Sequence, residues 1–330
     1  MSSPATLDSL EAALERAVTR FDDGSAVGAQ IRYHFGFGDE ARRGKRLRSR
    51  LVLEVADEEG APRDEALPPA CAVEIIHEFS LIHDDIEDND RLRRGRETLW
   101  ARYGAAHGIN SGDALCSLAY LTLLHDASGP PERTLAMTRV LLAAHLAMCG
   151  GQGRDIAFET EPRVTMAEYR EMIGGKTAAL FSAACELGAL AAGTSDARAA
   201  AYARLGGAYG IAFQIEDDVL GTWGDSATTG KPAGADLAKR KWTFPVVWAL
   251  AGPPSASRTA IERAYGHGTT LSGSDVAATI DALDTLGARD AAQAAARDEL
   301  AAADAVAEAN GVDRSGRVRA FFRRSARRSA

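Results

Sequence analysis

The sequence predicts an all-α protein, folded as one large helical bundle that spans residues 1–330 as a single domain. Apolar residues recur at a period near 3.6 wherever a clear pattern exists, and no stretch alternates apolar and polar residues as a half-buried strand does. Long alanine-rich segments offer small side chains for close packing of helices. Hydrophobic residues make up 46% of the chain, which is enough to build a sizeable core.

Taken in order, the helical pattern starts with Leu7, Leu10 and Leu14, which predict a helix over residues 6–21. Further helices are predicted over residues 27–35, 51–55, 71–85, 110–125, 134–148, 165–172, 178–192, 202–220, 244–251 and 276–309, the last one broken near Gly287. Thr165 and Glu168 form a capping-box pattern. Glycine runs predict breaks at residues 150–153 and 174–175, and residues 222–241 are predicted to be a loop over a functional surface.

Charge and cysteine content exclude several classes of protein. The formal net charge of −8 argues against nucleic acid as the principal partner, because no basic field exists to hold a polyanion. The four cysteines are far apart in apolar surroundings, as expected for buried side chains in a reducing compartment. No secretory signal pattern and no run of about 18 apolar residues is found. We expect a soluble cytoplasmic protein without an integral membrane segment.

The most distinctive stretch, HEFSLIHDDIEDNDRLRRGRET, runs from His77 to Thr98. On a helix, Asp84 and Asp88 share one face roughly 6 Å apart along the axis, with Asp85 beside them. Two interpretations fit this acidic cluster alone: a solvated helix end with compensating charges, or a divalent-metal site. The arginines that follow have forked donors that suit phosphate oxygens, which favours a metal and a phosphate bound side by side.

A second acidic pair, Asp217 and Asp218, follows the apolar segment Phe213-Gln214-Ile215 about 130 residues later. Adjacent carboxylates at the end of an apolar helix need cations or donors to offset their desolvation. All-oxygen ligands without a nearby cysteine and histidine set favour a hard ion such as Mg²⁺. Two such clusters on two helices indicate a diphosphate clamped by metal ions.

Six motifs occur in the order that resembles trans-polyprenyl diphosphate synthases, and they cover about residues 40–250. They are GKRLR at 44–48, EIIHEFSLIHDDIED at 74–88, RLRRG at 91–95, GGKTA at 174–178, FQIEDD at 213–218 and GKPAGAD at 230–236. The resemblance implies the isoprenoid synthase fold with a central active-site cavity, usually in a homodimer. The implied reaction condenses isopentenyl diphosphate with an allylic diphosphate (dimethylallyl, geranyl or farnesyl) to give a longer all-trans prenyl diphosphate.

Carried over by position, the resemblance assigns roles to individual residues. Asp84 and Asp88 would be ligands of Mg²⁺ with Asp85 in support, and Asp217 would hold the third of three ions. The isopentenyl diphosphate would be bound by Lys45, Arg48, His77 and Arg94. The allylic diphosphate would be bound by Arg93, Lys176, Thr177, Gln214, Lys231 and Lys241. The implied catalytic set is Asp84, Asp85, Asp88, Lys176, Thr177, Gln214 and Asp217.

The sequence departs from the family pattern at three positions. The second motif commonly reads DDxxD, whereas Gly221 stands at its fifth position here. Asp236 lies downstream, so we expect metal binding to survive. Lys241-Trp242 replaces a lysine pair, and Ser49 replaces a proline. Gly221 keeps two alternatives open: a class I terpene synthase on the same fold, or a non-catalytic subunit of a heteromeric synthase.

Product length is predicted from the residues before the first motif. Phe79 and Ser80, five and four residues before Asp84, lie about 6–7.5 Å down the same helix and close to the path of a growing chain. A phenylalanine there blocks the cavity partway, while the serine leaves room beside it. Phe79 together with an uninterrupted DDIED motif resembles synthases that make geranylgeranyl diphosphate. The alternative is that Phe79 is a core residue only.

The C-terminal segment, residues 314–330, is strongly basic. Three interpretations stay open for it: a frayed solvated tail, a lid that reaches towards the diphosphates, or a contact with an anionic surface.

Overall fold

A computed structural model describes residues 4–20, 24–37, 44–224, 233–266 and 270–327. The all-α prediction is confirmed, because the described residues are almost entirely helical. They divide into two compact units, and we describe each by itself. The single-domain organisation stays a prediction.

The first unit comprises Met1–Ala143, Ala183–Ala203 and Gly311–Phe321. Its central helix is α4, which packs against α3 and α6. The elements that precede Ala143 are α1 (Pro4–Thr19), α2 (Ala26–Phe35), α3 (Leu47–Glu58), α4 (Arg63–Glu87), β1 (Leu92–Arg93), β2 (Arg96–Glu97), α5 (Leu99–Tyr103), α6 (Ala105–Asp126) and the first part of α7 (Pro131–Phe158). The antiparallel hairpin β1–β2 pairs Leu92 with Glu97, and it was not anticipated from the sequence because its strands are only two residues long.

The second unit comprises Ala144–Ser182, Arg204–Asn310 and Phe322–Ala330. Its core gathers large side chains such as Tyr169, Trp242 and Phe244. The remaining elements of the chain are α8 (Met166–Ile173), a π-helical turn (Gly174–Ala178), α9 (Ala179–Ala191), α10 (Asp196–Trp223), α11 (Ala235–Ala238), α12 (Phe244–Ala251), α13 (Ala256–Gly266), α14 (Gly273–Leu286), α15 (Ala288–Asn310) and α16 (Arg317–Arg327).

The predictions that depend on a single capping residue or a single glycine are confirmed. Thr165 and Glu168 form the predicted capping box, with the Glu168 amide 3.3 Å from the Thr165 hydroxyl oxygen. The break near Gly287 is also confirmed, since this residue adopts φ +74° between α14 and α15. Helix α12 has the predicted bounds.

Two predicted features were wrong. The expected break at residues 150–153 is absent, and α7 continues through it to Phe158. Close backbone packing requires glycine at Gly151, where a Cβ would lie 2.0 Å from the Lys176 nitrogen, whereas a Cβ on Gly153 would meet nothing within 4 Å. The interpretation of residues 314–330 as a frayed tail is also wrong for the described part, because Arg317–Arg327 is helical and buries Val318, Phe321 and Phe322.

Among the described helices, α7 alone is long and apolar enough to cross a membrane by length and composition. Only 28% of its most apolar window is buried inside the structure. A helix whose apolar face is covered by another protein surface passes the same test, so this feature is weak evidence for a membrane span.

Candidate active site

The first acidic motif lies at the C-terminal end of α4. The Asp88 amide donates to the Asp84 carbonyl at 2.8 Å, and Asn89 then turns the chain with φ +55°. Asp84 and Asp88 are partly exposed on one face, whereas Asp85 is buried. The helix end therefore presents two carboxylates outward and turns the third inward.

Arg93, on the hairpin, binds the inward carboxylate. Its Nε and Nη2 atoms both lie 2.7 Å from Asp85 Oδ1, and its Nη2 lies 3.7 Å from Asp84 Oδ2. Burial raises the pKa of Asp85 to about 6, although the charge of Arg93 opposes the shift. Asp85 thus holds Arg93 beside the first motif.

Arg94, next along the hairpin, pairs with a buried glutamate that sequence reasoning missed. Glu78 is fully buried on α4 and lies 3.1 Å from Arg94 Nη2, 2.7 Å from Arg46 Nη1 and 2.9 Å from His34 Nε2. Burial by itself would raise the pKa of Glu78, but Arg94, His34 and Arg46 hold it well below its usual range. The sequence signal that could have identified it is the position of Glu78 beside the apolar residues of the segment EIIHEF (74–79).

The first basic motif meets the same region. Arg48 Nη1 lies 3.1 Å from His77 Nε2, and a Cβ on Gly44 would lie 2.7 Å from Arg94 Nη2. Burial, followed by the charge of Arg48, holds the pKa of His77 well below its usual value, so the imidazole is neutral and accepts this hydrogen bond. The structure therefore brings Arg48, His77 and Arg94 together, with the exposed Lys45 adjacent in sequence.

The predicted chain-length residues lie on α4, and Phe79 is buried. Its ring centroid is 4.8 Å from that of His83, and a Cβ on Gly112 would lie only 2.2 Å from His83 Nε2. The Ser80 hydroxyl donates to the His77 carbonyl at 2.7 Å. Phe79 is thus backed by His83, which in turn occupies the space that Gly112 leaves open on α6.

In the second unit, backbone contact between α7 and the π-helical turn positions Lys176. A Cβ on Gly151 would lie 2.0 Å from the Lys176 nitrogen, and a Cβ on Gly175 would lie 2.6 Å from the Ala147 carbonyl oxygen. Neither position has room for a side chain, which explains glycine inside a long helix despite its cost of about 1 kcal/mol. Single π-turns of this kind are frequent at functional sites.

One turn after Gly151, Asp155 joins two of the predicted cations. Its Oδ2 atom lies 2.6 Å from Lys176 Nζ and 3.2 Å from Lys241 Nζ. Burial alone would raise the pKa of Asp155, but the two ammonium groups outweigh burial and lower it. Sequence reasoning assigned no role to Asp155, because its partners are 21 and 86 residues away along the chain.

The two aspartates of the second motif have different surroundings. Asp218 is buried and accepts hydrogen bonds from the Tyr169 hydroxyl, the Phe244 amide and the Gln214 side-chain amide at 2.6, 2.7 and 2.9 Å. Burial raises the pKa of Asp218 to about 7, against the effect of these donors. Asp217 is exposed, so it is the member of the pair that faces solvent.

Thr177 and Gln214 are also brought together. The Thr177 hydroxyl donates to Gln214 Oε1 at 2.6 Å, and the other end of the same amide is held by Asp218. The Gln214 dipole is therefore fixed at both ends. Lys231 lies outside the described residues, and Trp242, which stands in place of a lysine, is buried with its indole donating to the Phe158 carbonyl at 2.9 Å.

Within the described ranges, no group of three or more histidine, cysteine, aspartate or glutamate side chains is arranged to hold a metal ion by itself. Mg²⁺ is commonly bound through only one or two carboxylates, with water and substrate phosphate completing the octahedron. The outward Asp84 and Asp88 in the first unit have the chemistry for such a site, and so, separately, does the exposed Asp217 in the second unit.

Comparison with known proteins identifies the family. The model of the polyprenyl synthetase family matches residues 39–283. The chain is 39% identical over 267 residues to a (2E,6E)-farnesyl diphosphate synthase of Mycobacterium tuberculosis, covering 78% of this chain and 74% of that protein. It is 40% identical over 252 residues to a geranylgeranyl diphosphate synthase of the same species, covering 74% and 71%.

Solved structures agree with this result. A polyprenyl synthetase from Streptomyces coelicolor A3(2) superposes with a TM-score of 0.85 at 34% identity, covering 98% of this chain and 96% of that one. A geranylgeranyl pyrophosphate synthase from Corynebacterium glutamicum, complexed with isoprenyl diphosphate and magnesium, gives a TM-score of 0.83 at 25% identity and covers 98% and 97%. The chain therefore belongs to the polyprenyl synthetase family and is a prenyltransferase.

Proposed function

We propose that this prenyltransferase condenses isopentenyl diphosphate with an allylic diphosphate to a longer all-trans prenyl diphosphate. One observation carries the proposal: the predicted cations form two separate groups, each anchored by a buried carboxylate. Glu78 anchors Arg94 next to Arg48 and His77, and Asp155 anchors Lys176 and Lys241. An elongating enzyme binds two diphosphates and needs two such groups.

A class I terpene synthase is the second candidate, because Gly221 alters the second motif. It binds one diphosphate and consumes no isopentenyl diphosphate, so it leaves one cation group without a role. The alternative of a non-catalytic subunit is not supported, since the relatives are themselves diphosphate synthases.

The deciding experiment incubates the protein with Mg²⁺, labelled isopentenyl diphosphate and allylic diphosphates of increasing length. Label in an elongated prenyl diphosphate is the expected result. A hydrocarbon or alcohol formed without incorporated label would establish the terpene synthase instead.

The roles of individual residues follow from the two groups. We assign Lys45, Arg48, His77 and Arg94 to isopentenyl diphosphate. We assign Arg93, Lys176, Thr177, Gln214, Lys231 and Lys241 to the allylic diphosphate. Both sets rest on charge-assisted hydrogen bonds from forked or ammonium donors to phosphate oxygens.

Asp84 and Asp88 are proposed to hold Mg²⁺, and Asp217 is proposed to hold the third of three ions. The magnesium in the Corynebacterium glutamicum structure supports this choice of ion. When bound, the metal neutralises charge that develops on a departing diphosphate. Asp85 supports the site by holding Arg93 beside the Asp84 carboxylate.

In the proposed reaction, the C1–O bond of the allylic diphosphate breaks and its electron pair leaves with the diphosphate. The C3=C4 π electrons of isopentenyl diphosphate then form the bond between its C4 and the allylic C1, which leaves a cation at C3. A proton from C2 passes to the released diphosphate, and the electrons of the C2–H bond form a C2=C3 double bond. Arg93, Lys176 and Lys241 stabilise the departing charge. Gln214 and Thr177 present oxygen atoms, fixed by their mutual hydrogen bond, to the allylic cation.

We propose geranylgeranyl diphosphate as the product, on the basis of Phe79. Phe79→Ala is expected to shift the main product to a chain at least one isoprene unit longer, because the ring is buried and backed by His83. Chromatography of dephosphorylated products measures the shift. Ser80→Ala is the control, since the Ser80 hydroxyl is already used within α4, and it is expected to leave product length unchanged. An unchanged product from Phe79→Ala would make this residue a core side chain only.

We propose a homodimer that covers an apolar stripe on α7. Leu135, Leu142 and Leu146 follow each other at helical spacing and are 48%, 48% and 76% exposed. Leu146→Glu is expected to shift the protein to monomers in sedimentation velocity, because a buried charge in an apolar interface is unfavourable. Leu92→Glu changes a leucine on the hairpin that is 64% exposed, and it is the control. A dimer that survives Leu146→Glu would exclude this face.

We propose a cytoplasmic location. No disulfide joins the four cysteines, all of which lie in the described part of the chain: Cys71, Cys116, Cys149 and Cys185. Burial raises the pKa of the Cys71 and Cys185 thiols, which makes these two unreactive. Such cysteines suit a reducing compartment.

A further inference from the structure

The buried carboxylate of Glu78 divides its two oxygen atoms unequally among three partners. Its Oε1 atom lies 2.7 Å from Arg46 Nη1 and 3.1 Å from Arg94 Nη2. Its Oε2 atom lies 2.9 Å from His34 Nε2 and 3.4 Å from Arg94 Nη1. A closed bidentate pair between an arginine and a carboxylate has two parallel bonds of about 2.7–2.9 Å. Glu78 therefore holds Arg94 more loosely than it holds Arg46 and His34.

Burial and charge distinguish the three partners. Arg46 and His34 are buried, whereas the Arg94 side chain is 22% exposed, so Arg94 is the partner that solvent and a ligand can reach. Burial lowers the pKa of His34, although Glu78 opposes the shift, so the imidazole is neutral. A neutral imidazole has one N–H group, and the Glu78 carboxylate favours its placement on Nε2. His34 thus occupies Oε2 without adding a positive charge.

Helix α2 fixes His34 against the hairpin that carries Arg94. The His34 carbonyl accepts a hydrogen bond from Arg96 Nη2, and the Tyr33 hydroxyl donates to the Glu97 carbonyl at 2.8 Å. The Arg96 guanidinium also lies over the Tyr33 ring, 4.6 Å from its centroid. Two consecutive residues of α2 are therefore bound to strand β2, and His34 cannot move away from the hairpin without breaking these contacts.

The turn of the hairpin restricts the backbone of Arg94 as well. Arg94 and Gly95 have φ values of +52° and +74°, as expected for the two central residues of a tight hairpin turn. A positive φ is sparsely populated by residues other than glycine, and such residues cluster at ligand-binding positions. Since the backbone is fixed, the adjustable feature of Arg94 is how far its guanidinium is drawn towards Glu78.

We propose that His34 is a positioning residue for isopentenyl diphosphate: it occupies Glu78 Oε2, prevents a closed bidentate pair between Glu78 and Arg94, and so leaves the Arg94 guanidinium to the diphosphate. This inference rests on the proposed chain elongation, in which Arg94 binds isopentenyl diphosphate. His34 acts only through Glu78 and Arg94. Without the imidazole, Oε2 accepts from Arg94 Nη1, and the guanidinium is drawn into a buried ion pair.

The test measures the Kd of isopentenyl diphosphate by isothermal titration calorimetry, without an allylic substrate and hence without turnover. His34→Leu removes the donor and is expected to raise this Kd about 5- to 20-fold, part of what a charge-assisted hydrogen bond contributes. His34→Gln, whose amide can donate to Oε2, is expected to stay within about threefold of the wild type. In steady-state kinetics, His34→Leu should raise KM for isopentenyl diphosphate and leave KM for the allylic diphosphate unchanged.

A double-mutant cycle identifies the route of the effect. In protein that already carries Arg94→Gln, His34→Leu is expected to change the Kd by less than about twofold, because the residue through which it acts is gone. His107→Leu is the matched control, since His107 Nδ1 lies 3.0 Å from Gln30 Nε2 and the change removes a contact of α2 at a different point. Its Kd is expected to equal that of the wild type.

Melting curves show whether each variant folds. If His34→Leu does not fold, His34→Phe, which keeps a ring in place of the imidazole, decides by the same measurements. The role of His34 is overturned by a wild-type Kd in the variant that lacks the donor, by an equal rise in His34→Gln or His107→Leu, or by an undiminished effect in the Arg94→Gln background. These results leave chain elongation standing. Wild-type protein that neither binds isopentenyl diphosphate nor incorporates its label overturns both proposals.

Discussion

Asp155→Asn is expected to lower kcat/KM for the allylic diphosphate by about 10- to 100-fold, mostly through kcat. The carboxylate touches both Lys176 and Lys241 through the same oxygen atom. The two ammonium nitrogens are therefore no more than about 6 Å apart, where two unit charges repel by about 3 kcal/mol at an effective dielectric constant of 20. Without the negative charge, the two lysines separate.

Two effects oppose each other in this variant. Removing a carboxylate adds net positive charge and so favours the binding of a diphosphate, which keeps KM nearly constant. Losing the anchor misplaces both donors at the moment when the leaving group gains charge, and positioned donors contribute most there. We expect the loss of positioning to dominate. Holding a lysine side chain in one geometry costs about 2 kcal/mol of rotamer entropy, and without Asp155 no buried carboxylate offsets this cost.

Steady-state kinetics with each substrate varied in turn checks this expectation. Glu159→Gln is the matched control: Glu159 Oε1 also lies 3.2 Å from Lys241 Nζ, but its side chain is 51% exposed. Its contact is screened by water and should change kcat/KM by less than about threefold. Equal losses of kcat/KM in the two variants would show that activity depends on the general charge around Lys241 and not on the buried Asp155 carboxylate.

Asp155 differs from its neighbours in the site in that no sequence pattern assigned it a role. Four residues were assigned from local motifs, and the structure places all of them in one unit: Lys176, Thr177, Gln214 and Lys241. The Thr177 hydroxyl donates to Gln214, and both lysines donate to Asp155. Asp155 was passed over because nothing in the run around it marks a buried carboxylate. Its partners are specified only by how α7 packs on the π-helical turn.

The same distinction applies to the fold. Helix bounds set by caps and by glycines with positive φ were predicted correctly, whereas the glycines at 150–153 were misinterpreted as a break. Glycine weakens an isolated helix, but at Gly151 it permits a backbone contact that no side chain allows. In the C-terminal helix, Phe322 stacks on Tyr209 with ring centroids 4.2 Å apart, and this burial outweighs the arginine-rich composition that suggested a frayed tail.

Arg46→Met is expected to lower the free energy of unfolding by about 3–5 kcal/mol, the cost of breaking a buried ion pair by removing one partner. The Arg46 side chain is fully buried. Its Nε lies 2.8 Å from Glu11 Oε1, and its Nη1 lies 3.2 Å from Glu74 Oε1 and 2.7 Å from Glu78 Oε1. Methionine fills much of the volume but leaves three glutamates without their central cation.

Urea denaturation measures this loss, with Arg63→Met as the control. Arg63 lies 3.8 Å from Asp57, and both side chains are 29% exposed, so its removal should cost less than about 1 kcal/mol. The deficit of Arg46→Met should shrink as the pH falls below about 4.5. Arg46 is one of the charges that hold the pKa of Glu78 well below its usual range, and the stabilisation that this provides in the wild-type protein is lost as the pH falls and Glu78 binds a proton.

A deficit independent of pH would mean that lost packing, such as the contact between the Arg46 guanidinium and the Phe35 ring, causes the destabilisation instead. The distinction bears on function, because Glu78 binds Arg94 as well as Arg46. With Arg46 removed, Arg94 is the nearest remaining arginine of this network and is held more tightly by Glu78. Arg46→Met should therefore also raise KM for isopentenyl diphosphate in the protein that remains folded, whereas Arg63→Met should not.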